Sequence, residues 1–212
     1  MFFRLLQESP VFAVMFLVFI VVSLTVHEYS HARTAFQLGD PTAERMGRLS
    51  LNPARHLDPA GSLVFLLAGF GWAKPVPVDV ARIGRQGMMW VALAGPVSNL
   101  IMATIVGLVI RSGFLSYLPF GELFVALAGL FVSLNVTLAI FNLLPIAPLD
   151  GSRVLMGLAP EEWAYKIAQF EQYGMMVLFG LIILGNVAGF SILGTIMDPP
   201  IQFLYHLIVG SG

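Results

Sequence analysis

The 212-residue chain contains no cysteine. That removes disulfides and thiolate metal ligands together, so any metal it holds must be bound through histidine and carboxylate. Charge is scarce as well: Asp, Glu, Lys and Arg make up 11% of the residues, against about a quarter in ordinary soluble domains. With 58% of its residues hydrophobic, the chain reads as an integral membrane protein lying in the lipid bilayer. The formal net charge of −1 and the absence of a basic stripe exclude a nucleic-acid groove binder. Long polar segments are missing too, which leaves room for one compact bundle with short loops, a single integral-membrane domain over residues 1–212.

What the sequence does contain is a metal motif inside an apolar run. His27-Glu28-Tyr29-Ser30-His31 lies within Val11 to Ala35, a stretch otherwise almost wholly apolar. Two histidines at i and i+4 share one face of an α-helix, so both imidazoles can reach one Zn²⁺, and the glutamate after the first can reach water at the metal. An ionised side chain at the centre of a membrane helix costs roughly 2.5–3.5 kcal/mol or more unless it is paired or coordinated. The motif therefore points to a metal-assisted hydrolase with His27 and His31 as ligands and Glu28 as catalytic base, rather than to a polar cluster satisfied at a helix end. Arg4 ahead of the run gives it the look of a signal peptide. The run is too long for a signal core, however, and has no small-residue cleavage site before the motif.

The hydrophobic pattern predicts full spans at about Pro10–Phe36, Met88–Ile110, Leu123–Leu144 and Tyr173–Ile196. Between the first two lie Arg45, Arg48, Arg55, Lys74, Arg82 and Arg85, and basic loops are cytoplasmic, so the N-terminus is expected outside. Within that loop Gly61–Ala73 is apolar but too short to span, and fits a re-entrant or interfacial segment. Leu155–Gln172 reads as an amphipathic helix on the cytoplasmic surface. The tail Ile201–Val209, after Asp198-Pro199-Pro200, is expected to be too short to cross and to lie at the outer interface, with His206 structural or solvated. The fold class that follows is all-α: a polytopic transmembrane bundle of about four full spans with a re-entrant or interfacial segment near Gly61–Val80.

If the first span runs inward, His27 and His31 lie in its inner half, and Asp150 follows directly on the inner end of the third span, which runs the same way. A catalytic zinc takes three protein ligands and keeps one open position, and an aspartate is a suitable partner for two histidines. Asp150 before Gly151 can equally be a turn residue, but its convergence with the metal motif favours a ligand.

These residues resemble a known family. His27-Glu28-Tyr29-Ser30-His31 together with Asn142-Leu143-Leu144-Pro145-Ile146-Ala147-Pro148-Leu149-Asp150-Gly151 is similar to the site-2 protease family of intramembrane zinc metalloproteases. The segments Leu51–Pro59, Gly71–Val78 and Ala94–Asn99 resemble its compact bacterial and archaeal members. The resemblance implies one Zn²⁺ per chain held by His27, His31 and Asp150, with Glu28 as base and Asn142 helping to position substrate or oxyanion. His56 and Asp58 match a family motif without an assigned role. It also implies a multi-pass protein of a prokaryotic inner membrane, with its active site in the cytoplasmic leaflet. Added peptide-binding or nucleotide-sensing domains, common in the family, are not expected in this length of chain.

The activity expected is an endopeptidase that cleaves a transmembrane helix of another membrane protein. The rival readings are a zinc transporter or channel, for which repeated halves are expected but not found, and a non-catalytic scaffold that binds membrane helices, against which Glu28 argues. A helix must be unwound before its peptide bonds can be attacked, and its freed backbone groups need partners. The extended run Lys74–Val80, with Pro75 and Pro77 alternating with Val76 and Val78, is suited to receive substrate as an added strand, or else to serve as a stiff linker; Lys74, Val76 and Val78 are the candidate edge residues.

Overall fold

In the computed structural model, which describes residues 6–68, 71–188 and 191–210, the chain is all-α as expected. Arg4 and residues 69 and 70 of the Gly61–Ala73 segment lie outside the described residues.

Helix α1 (Pro10–Gln37) opens with proline in its first turn, where the missing N–H costs nothing, and runs for 28 residues. Val11, Val14, Val18 and Val22 recur at three- and four-residue steps and are exposed, while Ala13, Phe16, Ser23, His27, His31 and Ala35 are buried. This apolar-out, polar-in arrangement is what lipid demands of a helix carrying functional groups. After the one-turn α2 (Thr42–Arg45), the chain enters α3 (Pro59–Ala68), whose first turn is capped by Asp58 Oδ1 accepting from Gly61 N–H at 2.8 Å.

The α3 segment is a hairpin that returns to its starting level. Leu57 pairs with Ala73 in an antiparallel bridge, and Lys74 N–H donates to the His56 carbonyl at 2.7 Å, closing the base. Inside, the legs touch backbone to backbone: a Cβ on Gly61 would stand 2.2 Å from the Trp72 carbonyl oxygen, and one on Gly71 2.3 Å from that of Gly61. Only glycine permits that approach. Phe65 of α3 stacks on Phe16 of α1 with centroids 6.0 Å apart, 11 positions up the helix from His27. At about 1.5 Å per residue that stack lies some 16 Å along α1 from the motif.

Helix α4 (Val80–Arg111) is capped by Asp79 and broken once, at Gly84 (φ 67°, ψ 177°), before running through the bundle. Helix α5 (Gly121–Asn142) leads through a turn into α6 (Asp150–Leu158), and α7 (Glu161–Phe170), α8 (Gly174–Ala188) and α9 (Ile192–Val209) follow. Helices α1, α4 and α5 form the centre, α6 packs on α4, and α9 closes against α4 and α5, where Ile201, Leu204 and Ile208 cover Ala103, Val132 and Val136.

Among the described residues, five stretches are long and apolar enough to cross a membrane: Pro10–Gln37, Val80–Arg111, Gly121–Asn142, Glu161–Gly185 and Ile192–Val209. The last departs from the sequence reading, which ended a span at Ile196 and left a short tail beyond the prolines. Instead the helix runs unbroken through Pro199 and Pro200. Each proline withholds one N–H, a loss that helices packed within a membrane bundle accommodate. The expected surface helix Leu155–Gln172 is likewise two helices, α6 and α7, divided at Ala159-Pro160.

Candidate metal centre

His27 and His31, one turn apart on the buried face of α1, bring their Nε2 atoms to Asp150 at the first position of α6. His27 Nε2 lies 3.1 Å and His31 Nε2 3.3 Å from Asp150 Oδ2, and three ligand atoms of the trio lie within 4.8 Å of one another. Tetrahedral bonds of about 2.0–2.1 Å would place neighbouring ligand atoms roughly 3.3–3.4 Å apart, so the spacing suits a zinc ion.

The ring protons are also placed for metal. His31 Nδ1 lies 2.6 Å from the Val91 carbonyl, an acceptor only, so Nδ1 carries a hydrogen and Nε2 is the ligating nitrogen of the neutral ring. His27 Nδ1 donates to Asn99 Oδ1 at 2.6 Å, with the same result. Four residues on from Ala92, Pro96 has no N–H to offer the Ala92 carbonyl, next to the Val91 carbonyl that His31 uses. Space is reserved as well: a Cβ on Gly95 would stand 2.5 Å from both Nε2 atoms. Two imidazoles, one carboxylate, no thiolate and a gap kept clear by a glycine form a donor set that fits a single zinc.

Glu28 is buried, and no protein group among the described residues hydrogen-bonds to its carboxylate. Its charge reaches Arg48, which is itself buried and donates to the carbonyls of Lys74 and Pro75. Burial lowers the pKa of Arg48, and the Glu28 carboxylate opposes that shift. Nearby, Asp40 accepts from Asp79 N–H at 2.7 Å and from Thr42 N–H at 3.0 Å. Burial pushes its carboxyl up, but these bonds, the Thr42 hydroxyl and the Arg82 guanidinium prevail and hold it below the usual carboxylate range.

Other sequence-predicted residues fall around this centre. Asn142, at the end of α5, donates Nδ2 to the Leu138 carbonyl at 2.9 Å and stays outside the metal trio. Lys74, Val76 and Val78 lie in a segment that is neither helix nor strand. His56 is fully buried with Nε2 donating to Ser50 O at 2.6 Å, and with the Asp58 cap it holds the base of the hairpin. Sequence reasoning missed Gly95, Asn99, Asn135 and Arg48 as parts of the site. Two asparagines in membrane helices were signal enough, since polar groups there are rarely idle.

Comparison with known proteins agrees with this chemistry. Residues 115–185 match the model of Peptidase family M50. The chain is 41% identical over 170 residues to "Putative zinc metalloprotease YwhC" of Bacillus subtilis, covering 77% of this chain and 78% of that protein. It is 32% identical over 169 residues to "Putative zinc metalloprotease Rip2" of Mycolicibacterium smegmatis (77% of this chain, 64% of that one) and 31% identical over 175 residues to the Mycobacterium tuberculosis protein of the same name (80% and 66%). No solved structure matches the chain. Similarity of this extent to zinc metalloproteases, on a membrane-helix bundle with a buried His-His-Asp trio, makes the chain a member of Peptidase family M50, the site-2 type of intramembrane zinc metalloprotease.

Proposed function

We propose that residues 1–212 form a single protease domain in which His27, His31 and Asp150 hold the zinc and Glu28 is the base that drives hydrolysis of a peptide bond in a transmembrane helix of a membrane-protein substrate. The observation that carries the reading is the buried trio on a lipid-facing bundle, with an unengaged carboxylate one residue from the first ligand. When bound, zinc supplies the Lewis-acid activation of carbonyl and water that amide hydrolysis needs. Glu28 takes the proton of the attacking water and returns it to the leaving amine. One hydrogen of the Asn142 amide is committed to Leu138, and the other is free to donate to the substrate carbonyl as charge develops on its oxygen.

The segment after the hairpin is suited to receive the unwound substrate. Its start is held by Arg48 on the carbonyls of Lys74 and Pro75, and its end by Asp40 on the N–H of Asp79. Between these ties, Val76 and Val78 form no backbone hydrogen bond among the described residues. Two residues apart in an extended chain, they present their N–H and C=O groups to one edge, while Pro75 and Pro77 leave the other edge without donors. The basic residues from Arg45 to Arg85 favour a cytoplasmic position for this segment and for the site, with the N-terminus outside, in what we take to be a prokaryotic inner membrane.

The deciding experiment is cleavage of co-expressed membrane proteins by the wild type and by Glu28→Gln, with zinc content measured in parallel. Activity should fall by about 10²–10⁴-fold in the variant while zinc stays bound. Undiminished turnover would remove Glu28 from the mechanism.

A further inference from the structure

The two histidines of the metal trio are oriented by different means. His31 leans on a backbone carbonyl, that of Val91. His27 leans on a side chain, Asn99 of α4, and Asn99 Nδ2 in turn donates to Asn135 Oδ1 of α5 at 2.9 Å. Asn135 Nδ2 donates to the Phe131 carbonyl at 3.0 Å, one turn back on its own helix. Both asparagines have 0% exposed surface. We infer that Asn135 is a positioning residue for the metal ligand His27, acting through Asn99 to fix which imidazole nitrogen carries the proton.

The argument is one of hydrogen-bond direction. The Phe131 carbonyl only accepts, so it faces the amino end of the Asn135 amide and leaves the Asn135 oxygen turned toward Asn99. That oxygen also only accepts, so Asn99 meets it with its amino group, whose other hydrogen points at the Ser23 carbonyl 3.4 Å away. The Asn99 oxygen is thereby directed to His27 Nδ1, which carries a proton, so that in the neutral ring the lone pair is on Nε2 beside Asp150. Direction set by a backbone carbonyl in α5 is thus carried across α4 to a ligand on α1. Without Asn135 the Asn99 amide loses its shorter acceptor, and water or a turned amide can offer His27 the opposite polarity. Neutral imidazole then places its hydrogen on the ligating nitrogen for part of the time, at the expense of metal affinity.

The inference rests on His27 being a metal ligand, and the test separates failure of the two. The full chain is purified in detergent without metal, and zinc affinity by chelator competition is measured alongside the visible absorption of the Co²⁺ form. His27→Ala is the benchmark; wild-type affinity in it would overturn the ligand assignment and this inference together. Asn135→Thr retains a hydroxyl that can bond back to the Phe131 carbonyl but is too short to reach Asn99. It should weaken zinc binding by about 10- to 100-fold and alter the Co²⁺ spectrum. Asn135→Asp, protonated in its buried surroundings, offers one donor to Phe131 and one acceptor to Asn99, and should restore most of the affinity. In an Asn99→Ala background, Asn135→Thr should cost nothing further. Wild-type affinity and spectrum in Asn135→Thr, an Asp variant as weak as the Thr variant, or additive losses in the double variant would each overturn the inference while leaving the metal site intact.

Discussion

A Cβ placed on Gly95 would stand 2.5 Å from Nε2 of His27, well inside the distance at which carbon and nitrogen can meet without a bond. The methyl group of Gly95→Ala would occupy the space between the imidazoles that the metal requires. We expect this variant to fold, since alanine is the better helix former, but to lose most of its zinc and its proteolysis together. Metal analysis of the purified protein checks it; full zinc content would show that the ion sits away from α4.

Asp150→Ala removes the only carboxylate of the trio and leaves two histidines, one ligand short of a catalytic zinc site. Zinc occupancy and activity should both fall. Normal metal content in this variant would mean that another residue completes the shell.

Replacing both Val76 and Val78 by proline deletes the two N–H donors of the extended segment without touching its ties to Arg48 and Asp40. Cleavage of helical substrates should be lost with zinc content unchanged. Unimpaired cleavage would move substrate binding elsewhere, with Asn142 the next residue to vary.

The absence of cysteine makes the topology directly measurable. Single cysteines introduced near Glu44 and Glu161 should react with a membrane-impermeant thiol reagent from the cytoplasmic side, and one near Glu122 from outside. The reverse labelling pattern would place the metal site in the other leaflet.

The central spans and the metal trio were legible in the sequence because both signals are strong in a membrane: long apolar runs, and ionisable groups that such runs do not tolerate without purpose. Asp150 could be brought to His27 and His31 from span direction alone, and the close approach of the three atoms agrees with it. The reach of the α3 hairpin could not be read, because it depends on the Leu57–Ala73 bridge and the Phe16–Phe65 stack, pairings between distant residues. The helix at Ile192–Val209 was hidden by its own prolines. Arg48 served only as a mark of topology, since nothing in a run of basic residues tells which one turns inward. Asn99 and Asn135 stand 36 positions apart, and their contact appears only once α4 and α5 are packed.

The alternation of valine and proline in the segment Pro75–Val78 has one more consequence. An edge whose donors occur only at every second residue admits a bound strand in registers that differ by two, since a slip of one turns every side chain to the opposite face. On the proposed edge, the scissile bond is then selected with a two-residue period, and a substrate cut at more than one place should yield product ends an even number of residues apart. Mass spectrometry of the fragments would display that parity, and neighbouring cuts one residue apart would refute it.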